Sequence, residues 1–303
     1  MAGSASANRS RRTTEQSSPM VLPVILFCSI AISACVAFGN PALWTFVLEP
    51  EPDRILTPDE EIIYLLFHSG NELTNDKDLV IISQSRTMSQ SEDLDRAKNL
   101  SLAVAAINLR EIKPGETFSF NQAVGDTENN SEYRIAPVVF GNDMTYARGG
   151  GICQVSTALY IAALEANLEI VERHAHSIVT DYSPLGLDST LVYGVMDLRL
   201  RNTGDHPVYI YAEAVGQVVN VKIIGHALQE GISIEAVGRM VDRYPKEGSS
   251  GSGSVPFMYV VDSYRIYYQN GVKVGQEFLS TDIYEASSDS QIIIGEGNFN
   301  PTK

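Results

Sequence analysis

Apolar positions along this chain fall into three patterns. The first is a continuous run, Met20 to Leu48, without a charged residue. It is long enough to cross about 30 Å of hydrocarbon as a helix. The second pattern recurs every three or four positions. Ile152, Val155, Leu159, Ala162, Ala163 and Ala166 predict a helix with one buried stripe, and Leu102, Ala105, Ala106 and Leu109 predict another over Asp95 to Leu109. A further helix starts at Thr57-Pro58-Asp59-Glu60 and runs through EIIYLLFHS to Gly70 and Asn71, because a capping hydroxyl, a first-turn proline and two carboxylates suit the positive end of the helix dipole. The third pattern is short and alternating. DLVIISQS, the start of ETFSFNQAVGDT, Pro137 to Phe140, LEIVERHAHSIV, DLRLRN, PVYIYAEA and VVNVKIIG predict strands, the last three forming an antiparallel meander. Asn270-Gly271 between two alternating runs predicts a hairpin. Together these elements give an α+β body, an antiparallel sheet with a few packed helices, behind an N-terminal transmembrane helix.

Charge orients that apolar run. Arg9, Arg11 and Arg12 against Glu15 give residues 1–19 a charge of +2, while Glu49, Glu51 and Asp53 follow the run. The positive-inside rule then makes 1–19 a cytosolic segment, 20–48 the anchor with Trp44 at the outer interface, and everything from Glu49 extracytoplasmic. A cleaved signal peptide, or lipoprotein-like processing at Ile32-Ser33-Ala34-Cys35, are the other readings of the run. Val36 to Phe38 continue the apolar stretch and favour the uncleaved anchor. Outside, residues 49–93 read as an acidic extension, 94–226 as the main domain, and 227–303 as a linker, GSSGSGS at Gly248 to Ser254, with a C-terminal hairpin region. The net charge of −15 argues against nucleic acid as a partner and leaves basic or amidated peptides as compatible ones.

Candidate chemistry concentrates between Arg148 and Ser177. Cys28 and Cys35 lie in the apolar run, so Cys153 is alone in the body and has no disulfide partner there. A lone exterior thiol is liable to oxidation, and catalysis is the simplest reason to keep one. Gly149, Gly150 and Gly151 precede it in a loop-to-helix junction where main chain can approach a ligand. In the first turn of the helix, unpaired N–H groups and the helix dipole favour a thiolate and offer donors to an oxyanion. In a strand, His174 and His176 share one face. The opposing reading is a buried structural cysteine beside two half-buried, hydrogen-bonding histidines.

GGGICQVSTALY followed by IVERHAHS, with FSFNQAVG upstream and YSPLGLDST and DLRLRN downstream, resembles the VanW family of Gram-positive envelope proteins from about Asp95 to His226. The block of Gly149, Gly150, Gly151, Cys153, Gln154, Ser156 and Thr157 is its most specific part. Where the family often has glycine, a basic residue and Asp-Ala-Thr, this chain has Gly186, Leu187, Asp188, Ser189 and Thr190. The resemblance implies L,D-transpeptidation of peptidoglycan stem peptides, with Cys153 as nucleophile and His176, or else His174, as general base. It implies substrate-binding or oxyanion roles for Gly149, Gly150, Gly151, Gln154, Ser156 and Thr157, an orienting acid in Asp188 or Asp197, and no cofactor or metal. Two other function classes stay open from the residues. One is a zinc site of Cys153, His174 and His176, which lacks a clear fourth ligand; the other is a non-enzymatic envelope-binding module in which Cys153 packs as a small hydrophobe.

Overall fold

Helix periodicity and strand alternation place one helix at the centre of the molecule. The computed structural model describes residues 57, 59–63, 78–140, 143–246, 255–286 and 293, all within one unit spanning 56–303. The apolar run 20–48, Cys28, Cys35 and His68 lie outside the described residues. No helix among the described residues is long and apolar enough to cross a membrane. In chain order the elements are β1 (Leu79–Met88), α1 (Leu94–Ile107), β2 (Arg110–Ile112), β3 (Thr117–Ser119), α2 (Phe120–Val124), β4 (Ile135–Phe140), β5 (Asp143–Arg148), α3 (Ile152–Glu165), β6 (Glu169–Glu172), β7 (Arg199–Arg201), β8 (Val208–Val215), β9 (Val218–His226), β10 (Ile232–Pro245), β11 (Phe257–Gln269) and β12 (Val272–Ala286). Ahead of them, Asp59–Ile63 is helical. The Glu60 amide donates to Thr57 Oγ1 at 3.3 Å and the Thr57 amide to Glu60 Oε2 at 2.9 Å, so the cap expected there is a reciprocal capping box.

The main sheet runs β1-β9-β8-β2, antiparallel throughout. Val219, Val221 and Ile223 of β9 and Ile210 and Ala212 of β8 alternate onto the face covered by the helices. Helix α3 has apolar or hydrogen-bonded neighbours on almost every side. Gln154 to Tyr160 and Ala162 to Leu164 are buried, so the single stripe expected from its periodicity is too narrow a description. Small side chains at Ala158 and Ala162 let β1 approach, and Ser85 and Ser83 of that strand donate to their carbonyls at 2.6 and 2.7 Å. Helix α1 buries Leu100, Ala103, Val104 and Ile107 together with Arg96 and Asn99. The expected face through Leu102, Ala105 and Ala106 is thus displaced by two positions. Nearly every residue from Leu102 to Ile107 is apolar, which lets the period start in two registers. Asn99 selects between them, donating to the Arg134 and Gly150 carbonyls at 2.9 and 3.0 Å.

Two expectations about strands change. Strand β6 stops at Glu172 instead of continuing through the histidines, since beyond it the chain departs to form an isolated bridge between His174 and Thr190. Strand β7 pairs with β3 and β6 in a separate sheet, so only β8 and β9 remain of the predicted meander. Strands β10 and β11, on either side of the Gly/Ser linker, pair with each other, and the linker itself lies outside the described residues. The hairpin at Asn270 and Gly271 forms as expected, with φ of 50° and 78°, the left-handed pair that suits a two-residue turn between twisted strands.

The C-terminal sheet β10-β11-β12 is clasped to the loop that follows β6. The Glu285 amide donates to Ser177 O at 2.8 Å and the Val179 amide returns a bond to Glu285 O at 3.1 Å. Ser263 donates to Gly186 O at 2.8 Å. Gly238 brings the sheet's backbone against the Leu185 carbonyl, closer than any β-carbon would permit.

Candidate active site

Cys153 sits in the first turn of α3, half-buried and free. Its neighbours are assembled from the loop that the C-terminal sheet holds down. His176 is buried, with its ring Nδ1 at 2.6 Å from Asp188 Oδ2, and its own amide donates to the same oxygen at 2.7 Å. With Nδ1 committed to the carboxylate, Nε2 is the ring atom left for the thiol and for the Tyr182 hydroxyl at 3.5 Å. Thr190 Oγ1 lies 3.8 Å from Cys153 Sγ. The structure therefore brings together Cys153, His176 and Asp188 in the order thiol, imidazole, carboxylate.

Electrostatics polarise this trio. Burial alone would raise the Cys153 thiol; its hydrogen bond to His176, the imidazolium charge, the Leu191 amide and the Thr190 hydroxyl outweigh burial and hold it below its ordinary value. Burial would likewise lower His176, but Asp188 and the thiolate push it up to about 10. Asp188, which burial would raise, is brought down to about 2 by the His176 ring and amide and by Arg173. Both shifts run in the direction that favours the charged pair, a thiolate beside an imidazolium, over the neutral one.

Asp188 itself is held by more than the histidine. Its other oxygen, Oδ1, accepts from the Tyr284 hydroxyl at 2.6 Å and from Arg173 Nη2 at 3.1 Å. Arg173 lies over the Tyr160 ring at 5.2 Å and reaches Asp282 through Nη1 at 2.5 Å. Tyr284 and Asp282 both come from β12, about one hundred residues along the chain from the carboxylate they support.

The remaining expected site residues are placed elsewhere or otherwise occupied. His174 is 38% exposed and its Nε2 meets Glu172 Oε1 at 3.0 Å; only its backbone takes part, accepting the Thr190 amide at 2.8 Å. The shared face predicted for the two histidines fails because the strand ends before them. Asp197 accepts from Ser119 Oγ at 2.5 Å and the Asn121 amide at 2.8 Å, closing the start of α2 rather than orienting an imidazole. Among the described residues no three His, Cys, Asp or Glu side chains converge as a metal site.

Gly150 and Gly151 are required by the chain's own packing. A β-carbon at Gly150 would lie 2.5 Å from the Ala136 carbonyl oxygen, and one at Gly151, whose φ is 104°, would lie 2.7 Å from Arg96 Cγ. A side chain at Gly149 would strike Thr127. Gln154, Ser156 and Thr157 are sealed from solvent. Gln154 donates to the Gln217 carbonyl at 2.8 Å, Ser156 donates to Ser189 O at 2.7 Å, and Thr157 accepts the Ser189 amide at 2.9 Å. Ser156 and Thr157 thus dock Ser189, next to Asp188, on the helix, while Gln154 ties the helix to the turn between β8 and β9. The Gly149, Gly150 and Gln154 amides donate to the Arg134, Ala147 and Gly151 carbonyls at 3.0, 3.4 and 2.9 Å.

Sequence reasoning missed Arg96, Arg173, Tyr182, Thr190, Asp282 and Tyr284 as parts of this environment. Tyr182 and Thr190 flank Asp188 in one loop, and Arg173 precedes His174. Those positions carried a local signal; Tyr284 and Asp282 carried none.

Residues 95–224 match the model of the family described as VanW like protein. The chain is similar to an uncharacterized protein of Bacillus subtilis (strain 168), YoaR, at 34% identity over 55% of this chain and 54% of that one. It is also similar to the vancomycin B-type resistance protein VanW of Enterococcus faecalis (strain ATCC 700802 / V583), at 34% identity over 40% of this chain and 47% of the relative. The chain thus spans about half the length of these curated relatives. No solved structure matches. The matched stretch contains Cys153, His176 and Asp188 and ends before the C-terminal sheet, and it is residues 95–224 that carry the likeness to the family described as VanW like protein.

Proposed function

We propose that the protein is a membrane-anchored, extracytoplasmic cysteine acyl-transferase acting on peptidoglycan stem peptides, in an L,D-transpeptidase-like cross-linking reaction. The observation that carries this reading is the Cys153–His176–Asp188 alignment, with Nδ1 of His176 held at 2.6 Å by a buried carboxylate and the thiol below its ordinary value. The Cys153 thiolate attacks a peptide carbonyl carbon. Collapse of the tetrahedral intermediate forms a thioester and expels an amine, which takes the proton from His176 Nε2. An amine from a neighbouring stem then attacks the thioester, His176 accepts its proton, and the thiolate departs. A relative named for vancomycin B-type resistance supports a wall peptide as the substrate class, because that resistance concerns the same polymer.

The test is intact-protein mass spectrometry of the purified body with synthetic stem peptides. A thioester adduct on Cys153, released by an added amine as a new amide, is the expected result. Release by water alone would make the protein a hydrolase, and no adduct with any stem peptide would leave the envelope-binding reading in its place. For the location, the charge asymmetry about residues 20–48 supports a body outside the membrane, so protease added to intact protoplasts should remove it. Protection of the body would overturn that topology.

A further inference from the structure

The chain holds two buried arginines close to the site, and they are neutralised differently. Arg173 has carboxylates at 3.1 and 2.5 Å, Asp188 and Asp282. Arg96, only 6% exposed, has no carboxylate within ion-pair distance among the described residues. Asp93 accepts its backbone amide at 2.9 Å, while Asp181 is engaged by the Ser89 hydroxyl and the Gln90 amide at 2.8 and 3.0 Å. The guanidinium makes one side-chain hydrogen bond, from Nη1 to the neutral Gln217 Oε1 at 2.5 Å. Asp181, Asp93 and the Cys153 thiolate act on it through space, but none of them pairs directly with the guanidinium among the described residues, so the fork is left open to an anion that can reach it.

The position of Arg96 says where that group would be. Its stem crosses Gly151, the residue two before Cys153, closely enough that a β-carbon there would lie 2.7 Å from Cγ and 3.3 Å from Nε. Its Cζ is 6.0 Å from the centre of the Tyr182 ring, and the Tyr182 hydroxyl is 3.5 Å from His176 Nε2. Arg96, Tyr182, His176 and Cys153 therefore line one small region at the start of α3. In a chain of net charge −15, an anionic substrate is disfavoured at most of the surface, and a local cation is what admits it.

We infer that Arg96 is a receptor for a carboxylate of the acyl donor, which makes the donor a peptide with a free carboxyl group beside the scissile bond. The inference rests on the cysteine acyl-transfer reading and deepens it. A guanidinium fork matches the two oxygens of a carboxylate, and carboxylates are the anions that peptides carry. The bond broken joins the acylated carbonyl to the residue bearing that carboxylate. This residue leaves as an amine protonated by His176 Nε2, and the acyl group stays on Cys153 Sγ.

Two small alkylating reagents test this without a peptide. Iodoacetate and iodoacetamide differ in charge, and their rate ratio on Cys153 is compared with that on a free thiol. The wild-type ratio should exceed the free-thiol ratio by roughly 10-fold or more, since hydrogen bonds to charged groups are among the stronger ones. Arg96→Gln should bring the ratio down to the free-thiol value, and Arg96→Lys should keep part of it. On the wild-type protein alone, acetate should slow iodoacetamide alkylation where acetamide does not. Donor peptides ending in a carboxylate should acylate Cys153 at lower KM than their carboxamides, a preference lost in Arg96→Gln. A reactive Cys153 indifferent to reagent charge, or an equal loss for acid and amide donors in Arg96→Gln, overturns the carboxylate role and leaves acyl transfer standing. A Cys153 inert to both reagents and to every donor overturns both.

Discussion

His174 and His176 stand two residues apart and occupy opposite kinds of environment. His174 is 38% exposed beside Glu172, itself partly open to water, and among the described residues one hydrogen bond between them is all the ring makes. His176 is 5% exposed and stands against a carboxylate 2% exposed. That carboxylate also accepts from Tyr284 and Arg173. An ion pair in water is screened and weak, whereas the same pair withdrawn from water and fully hydrogen-bonded fixes protonation and orientation. The difference shows that the residue type does not assign the role. What assigns it is the end of β6 at Glu172, after which the chain turns one histidine outward and carries the other under the Asp188 loop.

The largest expected effect removes the reference point of the comparison. Cys153→Ala should abolish the acyl adduct altogether while circular dichroism and melting stay close to wild type, since one sulfur at a helix start makes few contacts. Retention of the adduct would move the nucleophile elsewhere. Next, His176→Ala should lower acylation on the order of 10²-fold or more, and high pH should restore part of the rate by supplying thiolate. With the imidazolium gone, burial is left as the main influence on the thiol. The midpoint of its alkylation against pH should therefore rise from below to above the value of an ordinary cysteine. A midpoint that stays low would assign the thiolate's stabilisation to something other than His176.

Smaller effects should follow from the groups behind the imidazole. Asp188→Asn should cost roughly 10- to 100-fold in acylation, because the amide orients the ring without stabilising its charge. The linkage to stability has a definite sign. His176 is raised from 6.5 to about 10, so its contribution is full below about 6.5 and is lost as pH rises through about 10. Asp188 is lowered from 3.8 to about 2, so its contribution is present above about 3.8 and is lost as pH falls through about 2. The melting-temperature gap between wild type and His176→Ala should accordingly close on the alkaline side. A gap that is constant with pH would mean that the ring contributes by packing alone.

Tyr284→Phe removes one donor from Asp188 and keeps the ring in place. A loss of a few-fold in acylation is expected, because one of the hydrogen bonds that fix the carboxylate against the ring is gone. The smallest effect should be that of His174→Ala. Its exposed pair with Glu172 should change acylation by less than about 3-fold. Equal losses at His174 and His176 would erase the distinction on which the assignment of the base rests.

Much of the near part of the site was legible in the chain. The thiol at a helix start, the imidazole candidates, the Asp188 loop and the Asn270-Gly271 turn are all set by information within a few residues, such as period, capping and backbone freedom at glycine. The glycine block was readable as a place of close approach, but what approaches it is Ala136, Thr127 and Arg96 of the chain itself. Nothing local separates backbone close to a ligand from backbone close to a neighbouring strand.

The sequence by itself determined that one helix opens on a cysteine without a disulfide partner in the body and that two histidines and two candidate carboxylates follow it along the chain. Only the tertiary structure decided which histidine and which carboxylate. Asp188 and Asp197 are both acids in irregular stretches, yet one is folded under β12 beside Tyr284 and the other caps α2. The register of α1 was decided in the same way, by Asn99 meeting the Arg134 and Gly150 carbonyls. The physical reason is common to all three. Burial and charge compensation depend on groups brought from far along the chain, and a polar side chain takes its role from the partners that replace water around it.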